Sequence, residues 1–234
     1  KFMLSFTDND SDKFFEIMDM FPQFIRPNIM KIFKYLKRKK SSGICKKIMI
    51  YTNNQGPKIW AELISQYFNK QMKTKFFDQI IAAFKVQGKI VEVGRTSHDK
   101  SVSDLLQCTK LPRGTEICFL DDLYHPLMEN EAVYYINLKP YTHSMKFSDM
   151  AEKYYNKNKS NIPMEKDIFV RKVEQFMKRY DYDVELKTPE ENHVDKIVGD
   201  QIIEHLKDFF KSSKNNNHTQ KNHDKYKKRK TRKK

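Results

Sequence analysis

Apolar positions along the chain switch between helical and strand spacing in a regular order. Phe14, Ile17, Met18 and Phe21 recur at helical intervals from Lys13 until Pro22. Arg26-Pro27 then opens a second helix, with Pro27 suited to the first turn and Ile29, Ile32, Phe33 and Leu36 as its apolar stripe. Four cations, Lys37 to Lys40, favour its C-terminus, and Ser41-Ser42-Gly43 breaks it. Lys47 to Tyr51 is a continuous apolar run that predicts a buried strand, stopped by the polar loop Thr52 to Pro57. Pro57 starts a helix whose face carries Trp60, Leu63, Ile64, Tyr67 and Phe68, a core stripe. Phe77 to Phe84 fits strand or short helix. Lys89 to Val93 predicts a strand, and the polar loop Arg95 to Lys100 leads into a short helix through Leu105 and Leu106. After the Leu111-Pro112-Arg113-Gly114 turn, Ile117 to Leu120 predicts another buried strand, ending at Asp121-Asp122. Val133 to Leu138 is one more β-rich run.

This alternation indicates an α/β fold with a mostly parallel sheet and right-handed crossovers. Beyond Pro140 the pattern becomes helical. Elements are expected over Phe147 to Tyr155, from Pro163 through Phe169, Val173, Phe176, Met177 and Tyr180, and from Glu190 to Phe210 through Val194, Ile197, Val198, Ile202 and Leu206. The organisation read from these patterns is an α/β domain over 1–145, a helical extension packed on it over 146–210, and a tail over 211–234. That tail has no apolar periodicity and is expected to be disordered.

Charge sharpens the tail. The chain has 234 residues and a net charge of +15, and the tail contributes eleven Lys/Arg against Asp224 alone, a net +10. The remaining +5 makes basicity mainly a property of the tail, a possible contact for nucleic acid or a nuclear-import signal. Cys45, Cys108 and Cys118 are scattered and odd in number, which argues against a disulfide framework and for an intracellular, cytoplasmic or nuclear, setting. No apolar run approaches the length of a membrane span, so no membrane partner is expected. The chain opens on Lys1 rather than Met, which leaves room for an upstream segment.

The candidate chemistry sits at strand ends. Open α/β sheets bind ligands beyond the carboxyl ends of their strands. Asp121-Asp122 closes one buried strand and can offer oxygens to a hard cation such as Mg²⁺. Thr52 closes another strand, and Lys100 lies on a loop between the two. A hydroxyl, a cation and a carboxylate pair at one edge suit phosphoryl transfer, which needs charge stabilisation and positioning. Each also has a plainer role: an Asp-rich turn, a β-branched strand end and a solvated lysine. Near the N-terminus, Phe2 to Phe6 precedes Asp8-Asn9-Asp10-Ser11-Asp12. Lys13 stands where an EF-hand loop needs Gly, and Asp19 where it needs Glu, which removes that possibility. A strand followed by Asp-x-Asp, or a linker that caps the next helix, both remain open. The seven histidines show no ligand spacing with cysteine, and no Gly-rich phosphate loop is present. His125, beside Asp122, has two readings, a substrate contact and, more commonly for the residue type, a surface histidine.

Four motifs in order carry a resemblance: Ile25-Arg26-Pro27, Ile50-Tyr51-Thr52, Arg95 with Lys100, and Asp121-Asp122 with Pro126. Over about Gln23 to Tyr141 the chain resembles the haloacid-dehalogenase (HAD) phosphohydrolases, in particular their NLI-interacting-factor-like, small CTD-phosphatase branch. The stretches Tyr51 to Pro57 and Phe119 to Pro126 also look like uncharacterised HAD-like proteins of large DNA viruses and algae. The resemblance implies a HAD-like (Rossmannoid) three-layer fold and a Mg²⁺-dependent phosphatase that works through an aspartyl-phosphate. It implies that Thr52 hydrogen-bonds a phosphoryl oxygen, that Lys100 neutralises charge, and that Asp121 and Asp122 hold the metal. Asn53 and Arg95 would bind substrate, which would be a phosphoprotein or the phosphorylated end of a nucleic acid.

The chain departs from the family at its first motif, an apolar strand running into Asp-x-Asp-x-Thr or Val. Asp8 and Asp10 are the only counterparts, with Asp12 in place of Thr or Val. The expectation is that the nucleophile motif and the first strand, central in such sheets, lie upstream of Lys1, leaving neighbouring strand edges exposed. The alternative is a catalytically silent HAD-like binding module with a nucleic-acid-binding tail.

Overall fold

The computed structural model describes residues 10–56, 59–179 and 184–231, with side chains over 11–212 of these. Among them are seven α-helices and six short strands. In chain order these are α1 (Asp10–Met20), α2 (Ile29–Ser41), β1 (Met49–Tyr51), α3 (Ile59–Met72), β2 (Gln79–Ile81), β3 (Lys85–Val86), β4 (Lys89–Ile90), α4 (Val102–Thr109), β5 (Ile117–Asp121), β6 (Val133–Asn137), α5 (Phe147–Asn158), α6 (Lys166–Lys178) and α7 (Pro189–Thr231). The class is mixed α/β with short parallel sheets, compatible with a Rossmann-like arrangement.

β1 pairs in parallel with β2, from Met49 opposite Gln79 to Tyr51 opposite Ile81. β5 pairs in parallel with β6, from Ile117 opposite Val133 to Asp121 opposite Asn137. The ambiguous run after Phe77 resolves into β2. The strand expected over Lys89 to Val93 is shorter than its apolar content suggests. It forms the exposed two-residue β4, in an antiparallel hairpin with the half-buried β3. Gln87 and Gly88 both have positive φ, 50° and 79°, the turn geometry whose twist suits a two-residue hairpin. Val93, 85% exposed, lies outside any strand.

Helices cover both faces of these strands. Along β5 the side chains alternate. Cys118 and Leu120 pack towards α2 and α7, around Ile32, Ile202 and Leu206. Ile117 and Phe119 pack on the other face with Leu105 of α4, Ile81 and Met128. α2 enters through Asn28, whose left-handed φ of 66° is tolerated by asparagine and whose amide donates to the Lys196 carbonyl at 3.2 Å. Pro27 therefore precedes the helix rather than occupying its first turn. Pro57, expected to open α3, and Tyr180, expected on α6, lie outside the described residues, as do Phe2 to Phe6 and Asp8. α6 starts at Lys166, three residues past Pro163.

The C-terminal helices are joined to the rest through two cores. Ile17, Met20 and Phe21 of the N-terminal part share one with Tyr154 and Tyr155 of α5 and Phe169 and Val173 of α6. α7 lies along α2 in the other. Its backbone continues as helix to Thr231, through most of the segment expected to form no element.

Among the described residues β1 hydrogen-bonds only to β2, and β5 only to β6. Between the two pairs lies a cavity of about 1480 Å³. Ile48 and Met49 line one side, Ile117 to Leu120 the other, and Ile32, Leu36, Ile202 and Leu206 also line it.

Candidate functional site

β1 delivers Tyr51-Thr52 and β5 delivers Asp121 to one edge, and the loop 95–100 fills the space between them. Two residues shape that loop. The Arg95 guanidinium donates through Nη1 to the carbonyls of Thr52 (3.2 Å) and Ala82 (3.0 Å). Through Nη2 it donates to those of His98 (2.9 Å) and Asp99 (3.2 Å). Asp104, only 1% exposed, accepts from the Thr96 amide and hydroxyl, both at 3.0 Å. Its own amide is capped by Ser101 Oγ at 3.1 Å, the N-cap of α4. Both ends of the loop are thus tied to the same helix start.

The result is a fixed Lys100. Its Nζ donates to Asp121 Oδ2 at 2.5 Å, and each side chain of the pair is 9% exposed. The cation also lies over the rings of Tyr51 (5.6 Å) and Phe119 (5.8 Å). Asp121 Oδ1 accepts from the Leu123 amide at 2.9 Å, an Asx turn at the strand end. His125 Nε2 is 3.4 Å from the same oxygen without hydrogen-bond geometry. The Tyr51 phenol, whose oxygen accepts from the Ser101 amide, is pushed above its ordinary range by burial, with Arg95 acting the other way.

The residues singled out in the sequence are distributed as follows. Lys100 and Asp121 bond directly, and Arg95 ties the Thr52 carbonyl to the loop that carries Lys100. The Thr52 amide bonds to the Ile81 carbonyl, and its Oγ1 accepts from Asn54 N at 3.0 Å. Asn53 Oδ1 is buried and has no partner. Asp122 is exposed beside Asp121. Arg95, expected to bind substrate, is 3% exposed with both Nη groups spent on carbonyls, the arrangement of a loop clamp. Asp8 lies outside the described residues, and Asp10 is the first residue of α1.

Two contributors escaped the sequence reading. Tyr51 supplies the ring against which both cations rest, and its only signal was its place before Thr52. His125 is 9% exposed rather than on the surface, because Phe119 and Tyr135 enclose it. Its position beside Asp121-Asp122 was the sign in the sequence, and the surface reading is the one the structure corrects. Among the described residues five buried side-chain polar atoms lack a partner, and three of them, Asn53 Oδ1, Arg95 Nε and His125 Nε2, belong to this edge. Buried polar groups are normally satisfied, so this clustering marks the edge as a polar site.

Asp121 and Asp122 offer the oxygen chemistry that Mg²⁺ takes, since that ion uses one or two carboxylates and completes its shell with water and phosphate oxygens. Asp121 already meets Lys100 on one oxygen and a backbone amide on the other. Among the described residues no group of three His, Cys, Asp or Glu converges as a metal site. Comparison with protein-family models, curated proteins and solved structures finds no match. No helix among the described residues is long and apolar enough to cross a membrane.

Proposed function

We propose that the chain is the body of a Mg²⁺-dependent HAD-like phosphatase whose nucleophilic aspartate lies upstream of Lys1. The observation that carries this is the Lys100–Asp121 pair, held at the strand edge that also ends in Thr52. The cavity between β1 and β5 supports it, since it is lined by Met49 and Tyr51 on one side and Ile117 to Leu120 on the other, the two strands that lead to Thr52 and Asp121. In this reading an aspartate oxygen attacks phosphorus, the bond to the leaving oxygen breaks, and a second aspartate two positions on protonates that oxygen. Water then cleaves the aspartyl-phosphate. Thr52 would orient a phosphoryl oxygen, and Lys100 would hold the nucleophile and the phosphoryl group against their mutual repulsion. Asp121 and Asp122 would hold Mg²⁺, which when bound supplies charge neutralisation for the phosphoryl oxygens. The substrate class is a phosphorylated protein or a phosphorylated nucleic-acid end.

The internal closure of the Asp121 carboxylate, met by Lys100, the Leu123 amide and His125, favours one second reading. In it the chain is a catalytically silent binding module. Hydrolysis of an aryl phosphate with Mg²⁺ separates the two. The chain from Lys1 is expected to show no turnover, and a form extended upstream through an Asp-x-Asp-x-Thr/Val motif is expected to be active. An inactive extended form carrying that motif supports the silent module. Turnover by the chain from Lys1 that Asp8→Asn abolishes would make Asp8 the nucleophile and remove the upstream segment from the scheme.

A further inference from the structure

The edge opposite Lys100 and Asp121 is a second feature of the molecule, built from different residues. β1, β2 and β5 all run towards the site, so the loops that precede them gather at the other end. These loops follow α2, α3 and α4 in turn. Lys46 and Lys47 precede β1, Lys73 and Lys75 precede β2, and Lys110 and Arg113 precede β5, and all six are exposed. The acids of these loops are Asp78 and Glu116. Asp78 is taken by Lys40 at 2.8 Å, and Lys40 also reaches the carbonyls of Lys75 and Phe76, which locks the end of α2 to the loop before β2. Cationic charge therefore outnumbers acid at one pole of the sheet.

α7 brings the tail to the same pole. It runs parallel to α2 and in step with it. Asn28 meets Lys196, Lys31 pairs with Asp200 at 2.9 Å, and Lys39 lies 5.3 Å from the Phe210 ring. Lys211 therefore comes beside the last turn of α2, where Arg38, Lys39 and Lys40 stand. From there the helical backbone runs on to Thr231, about 30 Å at 1.5 Å per residue. By sequence, the segment from Lys211 to Lys234 carries eleven Lys/Arg and one Asp.

We propose that this edge, with the basic C-terminal segment that begins beside it at Lys211, binds the phosphate backbone of nucleic acid, remote from the Lys100–Asp121 site. A lipid surface fits less well. Surface-bound helices need a large apolar face, and the sequence from Lys211 onward has no apolar periodicity. Among the described residues of the three loops only Ile44, at 36%, is an exposed large hydrophobic. An extended array of lysines without apolar anchors suits a regularly spaced polyanion, where binding is driven by counterion release. This inference does not depend on the phosphatase reading, and its test uses no metal and no turnover.

The test follows binding of the full chain to a labelled random-sequence duplex of about 20 base pairs as salt is raised from about 50 to 200 mM. It compares the full chain with two variants: one combining Lys46→Glu, Lys47→Glu, Lys75→Glu and Arg113→Glu, and one cut after Phe210. The combined variant is expected to bind at least about tenfold more weakly, with a salt slope lower by about 2 or more. The cut form is expected to keep a measurable slope of its own. Lys46→Gln with Lys47→Gln, a milder change, should lower the slope by about 1 to 2 with an unchanged circular-dichroism spectrum. Unchanged affinity and slope in both loop variants would confine binding to the tail and overturn the shared surface. Tighter binding to vesicles rich in phosphatidylserine than to the duplex would overturn the nucleic-acid assignment.

Discussion

Lys100 Nζ and Asp121 Oδ2 lie 2.5 Å apart, brought together from a loop and a strand end that are 21 residues apart in sequence, with 9% of each side chain exposed. A pair this enclosed costs desolvation on both sides and is stabilising only while both partners are present. Removing one should therefore be worse than removing both. Lys100→Met or Asp121→Leu alone is expected to cost about 3 kcal/mol of unfolding free energy, and the double substitution to recover much of it. Urea unfolding of the four proteins gives the coupling. Additive losses would mean that the ion pair is not a unit.

Arg95 acts through geometry. Its four bonds to the carbonyls of Thr52, Ala82, His98 and Asp99 join β1, the strand end after β2 and the lysine loop. Lysine keeps the charge but cannot reproduce a planar fork. Arg95→Lys is expected to lose about 2–3 kcal/mol and to raise hydrogen exchange across 95–100. A fully protected loop in that variant would show that other contacts hold it.

Gly199 sits where α7 packs against the entry to α2. A Cβ there would lie 2.6 Å from the Pro27 carbonyl oxygen and 2.9 Å from Asn28 Cβ, so the helices would have to part. Gly199→Ala is expected to destabilise by about 1–3 kcal/mol despite its better helix propensity. A thermal melt decides the sign. Stabilisation would mean that α7 can slide on α2 without loss.

Cys118 faces the core between β5, α2 and α7, and burial pushes its thiol up to about 12. At pH 8 the thiolate fraction is then about one in ten thousand, and the thiolate is the reactive form. Reactivity should rise steadily with pH through the range where an ordinary thiol has already levelled off. Mass-resolved alkylation of the native chain should leave Cys118 as the last of the three cysteines to react at pH 8. Labelling as fast as in denaturant would mean that the core opens readily there.

Local pattern was enough for the elements that carry their own period. The stripe Ile29, Ile32, Phe33, Leu36 became α2, and Ile117 to Leu120 became β5 with Asp121 at its end. Side chains at 3.6 or 2 residues per repeat show which face is buried without reference to a partner. Strand ends were legible for the same reason, since an apolar run that stops at Thr52 or Asp121 marks an edge. The hairpin at Gln87-Gly88 was under-read, because the apolar residues after it suggested a longer strand than its pairing supports.

The sequence by itself determined the order of helices and strands, the polar edge at Thr52 and Asp121, and the concentration of positive charge beyond Lys211. Tertiary structure alone decided which distant groups meet. Arg95 became a clamp, because four carbonyls from three segments converge on it. His125 became buried, because Phe119 and Tyr135 close over it. The gap between β1 and β5 and the parallel run of α7 on α2 were equally unreadable, since strand partners and helix neighbours are chosen by long-range packing. That choice rests on loop closure and on how much apolar surface each pairing buries, and neither is written in the spacing of any one segment.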